Sequence, residues 1–187
     1  MKITFTINHS LAIEAVKSET YIKGSIDEAA NQNATKLRFN ETAGDISVHE
    51  RKLEKDFVRG VERLKAIYVD FFIPNHKSVG DTSVSAQYDK SSGDAAIVLV
   101  IQRRFNGALA DAIANYSQEY VENFMLYQWW LATGMLSQAE PYKVMMKELE
   151  TNIKKSFTIS SPMESTATFN SVSGAILNDD GSEFTGA

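Results

Sequence analysis

No cysteine occurs among the 187 residues, and only three prolines, three histidines and two tryptophans do. Without cysteine there are no disulfides, thiolate metal sites or cysteine nucleophiles, which fits folding in a reducing compartment. No window approaches the roughly 18 consecutive apolar residues that a membrane span requires. The first ten residues, MKITFTINHS, alternate and lack an apolar central region, so no secretory signal is expected. Glycine-rich nucleotide loops, the G-x-S-x-G elbow and the H-E-x-x-H zinc pattern are all missing. His9, His49 and His76 are far apart, and none has a metal-ligating partner three or four residues away. His49, beside Glu50 at the start of a helical pattern, reads as surface or capping detail. Acids are plentiful, but no pair is marked as convergent, so no catalytic residue, cofactor or metal is expected.

What is present is ordinary for a globular chain: 43% hydrophobic and 23% charged residues, enough for one domain with its own core. The net charge is −5, unevenly placed. Residues Ser156–Ala187 contain Glu164, Asp179, Asp180 and Glu183 and no Lys or Arg, which leaves the first 155 residues at −1. A near-neutral body argues against a dedicated nucleic-acid binder, though not against a local basic patch.

Two helical patterns dominate the stretch from Asn106 to Phe157. In the first, Leu109, Ile113, Tyr116, Tyr120, Phe124, Tyr127 and Leu131 recur at steps of four and three, one apolar stripe on a helix. In the second, Tyr142, Met145, Leu149 and Ile153 do the same. Asn106 is positioned to cap the first. Thr133–Gly134 to Pro141 forms the hinge, with either Ser137 and Glu140 as a capping box or Glu140 capping before Pro141. Trp129 and Trp130, being adjacent, lie roughly 100° apart around the helix axis. One therefore plugs the core, and the other faces a neighbouring element or subunit as an interface anchor.

Upstream, residues 2–7 alternate as a half-buried strand with Ile3, Phe5 and Ile7 inward. A weaker helical pattern follows, with Leu11, Ala12, Ala15, Val16 and Tyr21, up to Gly24. The polar stretch Ser25–Asp45 has helical character around Ile26–Phe39. From Asp45 to Ile73, Leu53, Phe57, Val61, Leu64, Tyr68 and Phe71 mark a helix of roughly 40 Å. Ser47 with Glu50 is its candidate capping box, Gly60 permits close approach by a neighbour, and Pro74 stops it. Thr82–Arg103 reads as a β-hairpin around the turn DKSSGD, its second strand AAIVLVI the more buried. After Phe157 the chain turns Ser/Thr/Gly-rich, with scattered Phe169, Val172, Ile176, Leu177 and Phe184. It reads as an extended arm over 158–187, attached to a domain over 1–157.

The long helix carries Arg51, Lys52, Lys55, Arg59, Arg63 and Lys65 against four acids. The plainer reading is a solvated, salt-bridged face. The sharper one is a phosphate-facing surface lining a DNA passage, through Arg51, Lys55 and Arg59. Arg103 and Arg104 after the hairpin allow the same two readings.

The order of elements, with VKSETYIKG in the early helix and YVENFMLYQWWLATGMLSQAEPYKVMMKELETNI in the last pair, resembles the head–tail connector proteins of tailed bacteriophages. These are also called neck adaptor or head-completion proteins. The resemblance covers roughly Lys17 to Lys155. It implies a mainly helical bundle bearing a hairpin and forming an oligomeric ring beneath the portal. It also implies contacts with the portal and other neck or tail proteins, proximity to genomic DNA and no membrane. The location implied is the virion neck, after synthesis in the bacterial cytoplasm. Termini in such proteins reach across to neighbouring subunits, which implies interface roles for Phe169, Ile176 and Leu177 alongside Trp129 and Trp130. The family has no invariant catalytic motif. The other readings are a tail-terminator or tail-completion protein, richer in sheet, and a non-viral cytoplasmic helical adaptor binding a partner through its arm.

Overall fold

The computed structural model describes residues 2–30, 47–73, 82–101 and 107–158, with the side chains of 24–30 and 47–48 outside that description. The described chain is mainly helical, with a three-stranded antiparallel sheet. Strand β1 is Lys2–Ile7, followed by helix α1, His9–Ala30. Helix α2 is Ser47–Phe72, and the hairpin strands are β2, Ser83–Tyr88, and β3, Ala95–Val100. A 3₁₀ turn, Gly107–Leu109, leads into α3, Ala110–Ala132, and α4 is Leu136–Thr158.

The hairpin forms where its turn residues require it. Asp89 accepts the Ser91 backbone N–H through Oδ1 at 2.7 Å, and Gly93 takes the left-handed φ of 78° that closes the turn. Strand β3 is then the centre of the sheet, in the order β1-β3-β2. Ile3, Phe5 and Ile7 stand opposite Leu99, Ile97 and Ala95. All six are buried. Ala95, Ile97 and Leu99 are buried on the inner face, which α2 and α3 approach through β2 and β1. The central position of β3 leaves Ala96, Val98 and Val100 half-buried on the other face, between the side chains of β1 and β2. Lys2, Thr4 and Thr6 remain exposed on the other face.

The same hairpin starts α1. Asp94 accepts the His9 N–H at 2.8 Å, while Asn8 caps the helix by accepting the Leu11 N–H at 2.9 Å. Gln118 of α3 holds the Asn8 peptide from both sides, accepting its N–H at 2.7 Å and donating to its carbonyl at 3.2 Å. Helix α1 extends beyond Gly24, and its orientation corrects the expected stripe. Ala12, Val16 and Thr20 face inward, whereas Leu11 and Tyr21 point out at 54% and 51% exposure. Small residues let α1 lie close to the bundle, which turns the larger side chains away.

Helix α2 follows its sequence pattern: Leu53, Phe57, Val61, Leu64 and Tyr68 are all buried, with Phe71 packed against the core. Gly60 is the close approach anticipated from the sequence. A Cβ there would stand 3.1 Å from both Phe124 Cδ1 and Val121 Cγ1 of α3.

Helix α3 is the element the others surround, packing on α4, α2, α1 and β1. Its buried set is accordingly wider than one stripe: Ser117, Val121, Met125, Leu126 and both tryptophans join Ile113, Tyr120 and Phe124. Leu131, placed in the stripe by its spacing, is on the surface. The residue at the N-cap position is Leu109, which makes no side-chain cap. Asn106, Pro74, His76, Arg103 and Arg104 lie outside the described residues, as does the Ser47 side chain.

The connection to α4 is shorter than the expected hinge. Gly134, at φ 80°, ends α3, and the Met135 N–H returns to the Trp130 carbonyl at 2.9 Å. Helix α4 starts at Leu136, so Pro141 lies inside it rather than at its first position, and neither proposed cap operates. Its inward residues are Tyr142, Met146, Leu149 and Ile153, continuing to Phe157. Met146, not Met145, fills the core, because α4 presents Ala139 and Met146 on the same line toward α3.

Candidate functional site

Three surfaces carry distinctive chemistry. The first is the outer side of α2. Arg51, Lys55 and Arg59 recur every fourth residue and are all exposed, opposite the buried seam. Arg51 and Lys55 have no ion-pair partner among the described residues. Arg59 leans back to Asp56, 3.6 Å away, and Lys52 contacts the other oxygen of the same carboxylate. Asp56 is only 2% exposed, so it draws part of the basic face into a structural role. Lys65 pairs with Glu62 at 3.1 Å. The helix therefore combines the two readings of its charge: a salt-bridged flank and a two-to-three-residue cationic stripe.

The second surface is the outer side of α1, where Leu11 and Ile22 fall on one face three turns apart, with Tyr21 beside them. All three are more than half exposed. On the inward side, α1 meets α3 and α4 through a polar knot. Lys23 donates to the Tyr142 hydroxyl at 2.6 Å, and Tyr142 donates to Glu19 at 2.9 Å. The Lys23 ammonium lies 4.6 Å from the Tyr142 ring centroid and 5.4 Å from that of Trp130. Burial, then the hydrogen bond to Glu19, pushes the Tyr142 phenol well above its ordinary range.

Trp130, 1% exposed, belongs to that knot, and Trp129, 2% exposed, meets His49 of α2 edge-on at 5.0 Å. Both tryptophans are spent inside the chain, which corrects the expectation that one serves as an exposed subunit anchor. His49 is corrected with them: half-buried against Trp129, it is a packing residue rather than surface detail. Phe169, Ile176 and Leu177, the other anticipated interface residues, lie outside the described residues.

The third surface was not anticipated. A cleft of about 260 Å³ opens between α2, α3 and α4. Phe124, Tyr127 and Met146 provide its apolar lining; Arg63, Lys143, Lys147, Gln128 and Glu150 its polar groups; and Tyr120 reaches it from the core. Burial raises the Tyr120 phenol, and the hydrogen bond from Arg63 opposes that rise. Lys143 reaches Glu140 at 3.1 Å, and Glu150 is held by Lys154 at 2.5 Å. Lys143 and Lys147 lie one turn apart on α4, and Arg63 of α2 joins them only through tertiary packing.

No cluster of three or more potential metal ligands occurs among the described residues, and none of their helices is long and apolar enough to cross a membrane. Comparison with protein-family models, curated proteins and solved structures finds no match, so the arrangement of these three surfaces is what a functional reading rests on.

Proposed function

We propose that this protein is a non-catalytic structural subunit of a tailed-bacteriophage virion, forming a ring in the neck that joins the portal to the tail around the DNA channel. The observation that supports it most is the outer side of α1. Leu11 and Ile22 stay exposed on a helix whose inward side is already satisfied, as expected of a surface that meets a neighbouring subunit. In a ring that contact is heterologous, one patch against a different patch on the next copy. The stripe Arg51, Lys55 and Arg59 supplies the cationic surface that a DNA channel calls for. The helix-dominated architecture weighs against a sheet-rich tail terminator.

The test is mass spectrometry of purified virions from the source phage or an induced lysogen. The reading expects a few to a few dozen copies per particle. Reproducible absence while other neck proteins are detected overturns it. A protein that stays monomeric and retains a host protein then becomes the cytoplasmic adaptor instead.

A further inference from the structure

We infer that the cleft between α2, α3 and α4 is the docking site for an acidic segment of the same chain, Asn178–Phe184. This does not depend on the neck assignment.

The chemistry of the two partners is complementary. The cleft gathers Arg63, Lys143 and Lys147 around an apolar floor of Phe124 and Met146. Neither Arg63 nor Lys147 has a carboxylate partner among the described residues. Lys143 has only the exposed Glu140, a pairing worth little in water. Glu150, the acid of the cleft, is engaged by Lys154. The chain after Ser156 contains four acids and no cation, and its sequence NDDGSEF brings Asp179, Asp180 and Glu183 next to Phe184. Carboxylates for three cations, with an aromatic ring for the floor, are what the cleft is built to receive.

The tether also fits. From Lys147 to the end of α4 at Thr158 is about 16 Å of helix, by the rise of ~1.5 Å per residue. The 21 residue steps from Thr158 to Asp179 can reach at most roughly 70 Å, at ~3.3–3.6 Å per residue, so the chain is long enough to bring the segment back over that distance. A covalent connection long enough to cover the distance makes the encounter intramolecular, with an effective concentration of order millimolar. That advantage favours the chain's own segment over a free nucleic acid or another copy, although the same cations attract either.

Because the chain has no cysteine, one introduced pair reports contact without ambiguity. Gln128→Cys places a thiol in the cleft and Ser182→Cys places one in the segment, leaving every charge intact. In the full chain at micromolar concentration, the intramolecular disulfide should form ~10-fold faster than in the control Thr4→Cys/Ser182→Cys, whose first thiol is on the far face of the sheet. Salt of about 0.5 M should slow it severalfold. So should Asp179→Lys/Glu183→Lys, which leaves the folded body untouched. Equal rates for the two pairs, insensitivity to salt and charge reversal, or a predominance of disulfide-linked dimers would overturn the inference.

Discussion

Tyr68 of α2 donates a hydrogen bond to Ser117 of α3 across the middle of the core. The oxygens are 2.6 Å apart, and the direction follows from the serine's own proton, which goes to the Ile113 carbonyl, also at 2.6 Å. Both residues are nearly fully buried, and burial pushes the Tyr68 phenol far above its ordinary range. Ser117→Ala orphans a buried hydroxyl and should cost about 1–3 kcal/mol, whereas Tyr68→Phe should cost about 1 kcal/mol. The double variant should recover part of the serine loss. Urea denaturation of the three variants measures the coupling, and strict additivity would show that the bond is not made.

Gly60 should resist even a methyl group. Alanine gains up to about 1 kcal/mol of helix propensity, but its Cβ presses at 3.1 Å on Phe124 and Val121, both buried. Overpacking of this kind costs about 1–3 kcal/mol. Gly60→Ala should therefore destabilise by about 1 kcal/mol net. Adding Val121→Ala should relieve the crowding at Gly60, so the double variant should lose less than the sum of the two single losses.

Asp56 predicts an asymmetry between its two cations. Lys52 is 29% exposed and reaches the Gln128 carbonyl as well, while Arg59 is 55% exposed. Lys52→Ala leaves the buried carboxylate with a single distant partner and should cost about 2 kcal/mol. Arg59→Ala should cost no more than about 0.5 kcal/mol. Equal losses would mean that the carboxylate is solvated from the Arg59 side.

Tyr88 gives an alkaline signature. Burial first, then the charge of Glu62 and the hydrogen bond to it, raises its phenol from 10.0 to about 12. A phenol raised on folding contributes stability that is complete below pH 10 and lost as pH climbs toward 12. Tyr88→Phe should flatten the stability profile in that window, and at neutral pH should cost no more than about 1 kcal/mol for the lost hydrogen bond to Glu62. The check is a denaturation series at increasing pH on both proteins.

The α2 stripe is tested by Arg51→Gln, Lys55→Gln and Arg59→Gln together. If it lines the DNA passage, the variant should assemble but retain less genome, with a stability change within about 1 kcal/mol. Unchanged numbers of DNA-filled particles would remove the stripe from that role.

The legible parts of the chain were those whose pattern depends on one exposed and one buried side. Strand β1, the hairpin and α2 satisfy that condition, and their inward residues could be named from spacing. Helix α3 does not, because it has neighbours on several sides. Ser117 and Met125 are as deeply buried as Tyr120 and Phe124, and a stripe rule has no place for them. The tryptophans failed for the same reason: 100° of separation divides them between core and surface only when one side of the helix is open. In α1 the error ran the other way, since hydrophobicity cannot show that Ala12, Val16 and Thr20 will be preferred for close packing over Leu11 and Tyr21. The cleft was invisible because Arg63 and Lys147 are brought together by folding alone.

The pairing of β1 with β3 sets an order of events. The hairpin and the α3–α4 pair are local and can form as soon as each is made. Strand β1, by contrast, must wait about 90 residues for its partner, because Ile3 meets Leu99. At ribosomal speeds that interval is roughly 5–20 s, during which Ile3, Phe5 and Ile7 have no sheet to cover them. The strand that begins the described chain therefore waits far longer for its partner than either hairpin strand does, and that interval is one in which its apolar side is open to wrong partners.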